Sequence, residues 1–131
     1  MKNELAIKKS ASNSFSVKSR LKSFQYALAG LNSFFSTQHN AIIHLAMTLL
    51  AFSAAVLYNV TKAEAIGIAL AIGFVWAAEL FNTAIEKLAD IVSRDHHPEI
   101  KFIKDVSAAA VLLSAIAAMI TGAIVFLPKL F

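Results

Sequence analysis

The chain of 131 residues contains no cysteine, which excludes disulfides and thiolate metal sites. Proline occurs only twice and glycine four times. So few helix breakers leave room for long uninterrupted helices. Charge is also scarce: Asp, Glu, Lys and Arg make up 15% of the chain, against about 25% in ordinary soluble domains. No Gly-rich phosphate loop of the Walker type is present, so any nucleotide site is of another kind. No internal repeat is visible. The first 20 residues are polar and no apolar core of about 7–15 residues follows at once, so they do not form a secretory signal.

What is present is apolar. Hydrophobic residues are 58% of the chain, the composition of a small membrane protein of one domain. The net charge is +4, from twelve basic and eight acidic residues. Six of the twelve lie within the first 22 residues, a clustering that suits an anionic membrane surface better than nucleic acid.

The expected architecture is all-α, with three transmembrane helices behind an amphipathic surface helix. Residues 1–20 read as a basic, Ser-rich, disordered cytoplasmic tail. Over 21–36, Leu21, Phe24, Leu28, Leu31 and Phe35 recur at helical spacing and mark one apolar face, suited to the membrane interface. Thr37-Gln38-His39-Asn40 is a polar break. The spans are expected at about 42–60, 65–86 and 106–127; the first reaches about 28 Å, close to a hydrocarbon core of about 30 Å. His44, near the start of the first span, reads as a hydrogen-bonded residue at a helix end rather than a metal ligand. Trp76 lies mid-span and reads as a packing residue. Asn59-Val60-Thr61 matches a glycosylation pattern but sits against the membrane and is discounted. Asp95-His96-His97-Pro98 breaks the helical pattern. Its adjacent histidines do not make a convincing zinc site, since no second cluster exists to complete one. Ser107, Ser114 and Thr121 recur every seven residues in the third span, where small side chains let helices approach closely.

The second span ends in an anomaly. Glu79 follows fourteen uncharged residues, Ala65 to Ala78. At about 100° per residue, Glu86 and Asp90 lie within about 20° of the same line, and Asn82 and Thr83 within about 60°. The helix therefore carries one polar stripe. A charge within a bilayer costs at least about 2.5–3.5 kcal/mol, so such groups face a protein interior and mark function. Ten of the twelve basic residues fall in the first 22 positions or between Lys87 and Lys104. Three spans with the N-terminus inside place both regions in the cytoplasm. The stripe, Gln38 and Lys104-Asp105 then share that face. Two chemistries suit such a set: phosphoryl transfer, with carboxylates for a metal ion and a proton, and transport of ions or protons through intramembrane acids.

The stretch Glu79-Leu80-Phe81-Asn82-Thr83-Ala84-Ile85-Glu86-Lys87-Leu88-Ala89-Asp90 resembles the signature of the prokaryotic diacylglycerol kinase family, which includes undecaprenol kinases. Lys104-Asp105 before a Ser/Ala-rich span, and the Tyr26–Gly30 helix before the first span, extend the resemblance over about residues 20–127. It implies a homotrimeric bundle in a bacterial plasma membrane, with active sites between subunits. ATP with Mg2+ would phosphorylate a membrane lipid, converting diacylglycerol to phosphatidic acid or undecaprenol to its phosphate. Carried over by position, Glu79 would be the catalytic base and Asn82 would orient the reacting groups. Glu86 would bind metal. Tyr26, Asp90, His97, Lys104 and Asp105 would serve the nucleotide. The family's metal-binding glutamate before the first span is replaced by Gln38, which keeps an acceptor oxygen but no charge. The reading from another class is a non-catalytic oligomeric membrane protein or a small ion transporter.

Overall fold

The computed structural model of the chain describes residues 16–93 and 97–131. Most of the basic tail, and Arg94, Asp95 and His96 of the charged connection, lie outside the described residues. The described residues form four α-helices and no strand: α1 (Val17–Thr37), α2 (His39–Leu57), α3 (Lys62–Val92) and α4 (Pro98–Leu130). The last three are long and apolar enough to cross a membrane. The chain divides into two compact units, one ending at Asn32 and one from Ser33 to Phe131.

In the first unit, α1 begins at Val17, earlier than the apolar period suggested. Ser16 is the reason: its Oγ accepts from the Ser19 backbone N–H at 3.3 Å, satisfying a donor that the first turn would leave orphaned. The apolar row Leu21, Phe24 and Leu28 is exposed.

In the second unit, Gln38 alone separates α1 from α2. Its backbone is extended, at φ −107° and ψ 115°. Its N–H closes α1 on the Phe34 carbonyl at 2.9 Å, and its own carbonyl accepts from Ala41 at 3.3 Å. The polar break expected over four residues is thus a one-residue joint. At the far end of α2, Asn59 adopts φ 49°, a left-handed conformation that Asn tolerates. Val60 N–H reaches the Ala55 carbonyl and Asn59 N–H the Val56 carbonyl, the Schellman pattern of helix termination. Thr61 then caps α3 reciprocally. Its hydroxyl accepts from the Glu64 backbone N–H at 3.3 Å, while the Glu64 carboxylate accepts from the Thr61 N–H at 2.6 Å, a capping box.

α3 and α4 extend past the stretches 65–86 and 106–127 expected from hydropathy. Hydropathy marks the stretch that lipid favours, whereas caps and breakers set where a helix ends. α4 starts at Pro98 because the first helical position needs no N–H. It runs on to Leu130, through Pro128, which the sequence pattern marks as the stop. A proline in the last turn forfeits one backbone bond and disturbs little beyond it. Lys129 also ties that turn to Glu64 at 3.1 Å.

α3 packs on α4 along much of its length and, less extensively, on α2. The buried residues of α3 show why. Ile68, Val75, Asn82 and Ala89 recur every seven residues, with Glu79 beside them. Ser107 is buried on α4, and Thr121, two heptads on, lies 3.8 Å from where a Cβ on Gly67 would be. Two heptad seams therefore meet antiparallel, the geometry that keeps one face of a helix against its neighbour. The opposite faces are left uncovered: Leu70, Phe74, Phe81, Leu113 and Ile124 are all exposed. Surface of that kind belongs in lipid or against another protein.

Candidate functional site

Apart from the Glu64–Lys129 pair, the polar contacts between α3 and its neighbours gather where the first half of α2, the second half of α3 and the first part of α4 meet. Glu79 lies there, 3% exposed. Burial of a carboxylate demands a partner, and α2 supplies it: His44 Nε2 stands 2.7 Å from Glu79 Oε1. An ionised carboxylate only accepts, so in that form the imidazole N–H donates. The His44 ring also meets Trp76 edge-on, at 6.2 Å between centroids. Trp76 Nε1 donates to Thr48 Oγ1 at 3.1 Å. Phe34 and Phe35 pack on the same indole at 6.1 and 5.5 Å. Two polar rungs, one helical turn apart, thus pin α2 to α3, and Trp76 is the packing residue that its mid-span position implied.

One turn beyond Glu79, Asn82 is 9% exposed. Its amide joins two elements. Nδ2 donates to Glu86 Oε1 at 3.2 Å along α3. Oδ1 accepts from Ser107 Oγ on α4 at 2.6 Å. About two turns beyond Asn82, Lys104 of α4 donates to Asp90 Oδ1 at 2.5 Å. The polar stripe read from the sequence therefore runs from a buried part at Glu79 and Asn82, through half-buried Glu86, to an exposed end at Asp90. It meets α2 at Glu79 and α4 at Asn82 and Asp90.

The other expected site residues are more dispersed. Asp105 is exposed and pairs with Lys101, one turn earlier on α4. His97 is the N-cap residue of α4, but its side chain makes no cap bond. Gln38 is half-buried at the joint between α1 and α2, its Nε2 3.5 Å from Thr37 Oγ1. Tyr26 belongs to the first unit and is 65% exposed on α1. Among the described residues, no three His, Asp or Glu side chains gather as a metal-ligating group.

Two contributors were not legible as site residues. His44 was read as a hydrogen-bonded residue at a helix end, with nothing to show that its partner was Glu79. Ser107 was read as a small packing residue. Its place one turn after Lys104 was the available signal, since residues three apart share a helix face.

Comparison with known proteins places these residues in a lineage. The model of the prokaryotic diacylglycerol kinase family matches residues 25–126. A diacylglycerol kinase of Synechocystis sp. is 40% identical over 111 residues, which is 84% of this chain and 63% of that protein. The chain thus spans less than two thirds of the Synechocystis relative. An undecaprenol kinase of Bacillus subtilis is 37% identical over 109 residues, covering 83% of this chain and 89% of that protein.

Proposed function

The chain belongs to the prokaryotic diacylglycerol kinase family, and on that premise we propose that it is a membrane lipid kinase. The γ-phosphoryl group of ATP passes to the hydroxyl of a membrane lipid, with diacylglycerol and undecaprenol as the candidate acceptors. The observation that carries this reading is Glu79: a buried carboxylate on an apolar helix, with one oxygen held by His44.

Phosphoryl transfer asks the protein mainly for positioning and for charges matched to the phosphates. With Oε1 occupied by His44, Glu79 turns Oε2 to the acceptor hydroxyl and takes its proton. The hydroxyl oxygen bonds to the γ-phosphorus as the bond to ADP breaks. Asn82 holds the reacting groups in register. Lys104, already near the stripe through Asp90, offers its ammonium to the phosphates. Asp90, Asp105 and His97 complete the nucleotide side.

Magnesium fits the donor set in a limited way. Glu86 supplies a half-buried carboxylate and Gln38 an amide oxygen, while Mg2+ commonly takes one or two protein ligands and fills its shell with phosphate and water. When bound, the ion neutralises charge on the phosphates undergoing transfer.

The remaining assignments follow the same reading. Residues 21–131 form the kinase domain, with 1–20 as a basic tail. The N-terminus is cytoplasmic by the positive-inside rule, since ten of the twelve basic residues fall in the first 22 positions or between Lys87 and Lys104. By the family resemblance the chain assembles as a homotrimer in the bacterial plasma membrane, where the uncovered apolar faces of α3 and α4 meet lipid or a neighbouring subunit.

The test is turnover of purified protein in mixed micelles with ATP and Mg2+, supplied separately with each lipid. Transfer to one of them is expected, and this selects the acceptor. Glu79→Gln should lower kcat by about 10²–10⁴-fold, the usual contribution of a positioned general base. Full activity in that variant would rule Glu79 out as the base.

A further inference from the structure

Ser107 stands between the two halves of the polar stripe. It is 7% exposed. Its hydroxyl has one hydrogen and two acceptors within reach, Asn82 Oδ1 at 2.6 Å and the Lys104 carbonyl at 2.9 Å. A helical serine can always return its hydrogen to its own helix, as Ser114 does to the Ala110 carbonyl at 2.8 Å. Ser107 differs in having a closer acceptor on another helix.

That contact bears on the amide. A primary amide can occupy one volume in two orientations that exchange oxygen and nitrogen. In the observed orientation Nδ2 donates to Glu86 Oε1. The reverse would set an amide oxygen against a carboxylate oxygen, two acceptors with no hydrogen between them. Glu86 therefore selects the orientation, and the Ser107 hydroxyl holds the other end of the amide in it. Without the hydroxyl, Oδ1 would be a buried acceptor that has lost its donor, and the amide would be held at one end only.

We infer that Ser107 is a positioning residue of the kinase site: it acts through Asn82, fixing that amide so that its N–H engages Glu86 and its plane is set for the reacting groups. The inference rests on the lipid kinase reading and adds α4 to the elements that orient the stripe. Ser107 itself touches neither nucleotide nor lipid in this scheme.

The test uses the full chain in detergent micelles with two readouts. The first is the side-chain amide NMR signal of Asn82 in metal-free protein labelled at asparagine and assigned with Asn82→Asp. The second is steady-state turnover. For Ser107→Ala, the Asn82 signals should move and kcat should fall about tenfold, as small misplacements of reacting groups allow, with KM for the lipid within about twofold. Ser107→Thr keeps the hydroxyl and should hold kcat within about threefold of wild type while leaving the Asn82 signals near their wild-type positions. It thereby separates loss of the hydrogen bond from loss of fold. Ser114→Ala should change neither readout. The inference is overturned if Ser107→Ala keeps its kcat, or if kcat falls while the Asn82 signals stay in place. If wild-type protein phosphorylates neither lipid, the kinase reading fails and any role for Ser107 in turnover fails with it. The amide signals still decide whether Ser107 orients Asn82.

Discussion

A carboxylate inside an apolar helix pair survives there only with a donor, and His44 is that donor for Glu79. Removing it should therefore cost stability as well as turnover. His44→Ala is expected to destabilise the fold by about 1–3 kcal/mol, the penalty for a buried group that loses its partner. His44→Gln keeps an N–H and should recover part of the loss. Thermal unfolding in detergent, run alongside turnover, measures both. Equal stability of the Ala variant and wild type would show that Glu79 does not depend on the contact. Gln38 makes the opposite kind of prediction. It brings an uncharged oxygen to a place where the family resemblance implies a carboxylate. Gln38→Glu should lower the Mg2+ concentration needed for half-maximal turnover severalfold, because a full charge binds a hard cation more strongly than an amide dipole does. An unchanged Mg2+ titration would remove Gln38 from the metal site.

At the scale of the element, local signals rather than hydropathy decide where α2 ends and α3 and α4 begin. The Thr61–Glu64 box starts α3, and Lys129 reaches the same glutamate from the last turn of α4. This cluster lies at the N-terminal end of α3, about four turns from Glu79. Thr61→Ala should cost about 1 kcal/mol of stability, typical for a lost N-cap, and should leave the KM values unchanged. Unfolding in detergent checks the first expectation and steady-state kinetics the second. A large change in KM would mean that the two ends are coupled through α3. At about 1.5 Å per residue, the 31 residues of α3 extend about 46 Å, longer than a hydrocarbon core of about 30 Å. The excess accommodates the charged end that carries Glu86 and Asp90.

At the scale of the whole Ser33–Phe131 unit, polar contacts lie at Glu64–Lys129 and from Glu79 to Asp90, and Ile68 and Val75 are buried in the seam between. Gly67 faces Thr121 with room for one methyl group, because a Cβ would meet Thr121 Cγ2 at 3.8 Å, an ordinary contact. Gly67→Ala should therefore fold and turn over like wild type, and should gain a few tenths of a kcal/mol or more from its higher helix propensity. Gly67→Leu has no space and should separate α3 from α4, costing about 1–3 kcal/mol as overpacked cores do. If unfolding in detergent shows the Leu variant to be as stable as wild type, the seam does not pack as described.

The sequence by itself determined the helical class, the three apolar stretches and the polar stripe on α3. Each of these is written in local period and local hydropathy, which need no knowledge of distant residues. Glu79, Asn82, Glu86 and Asp90 share a face because of their spacing alone. The tertiary structure decided who meets that face. His44 lies 35 residues from Glu79, and Ser107 lies 25 residues from Asn82. No period within either helix encodes those pairings. They follow from the antiparallel register of α3 with its neighbours, which the Asn59 turn and the interlocking heptad seams establish together. A lone histidine and a lone serine became parts of a site only when packing brought them to buried polar groups that needed partners.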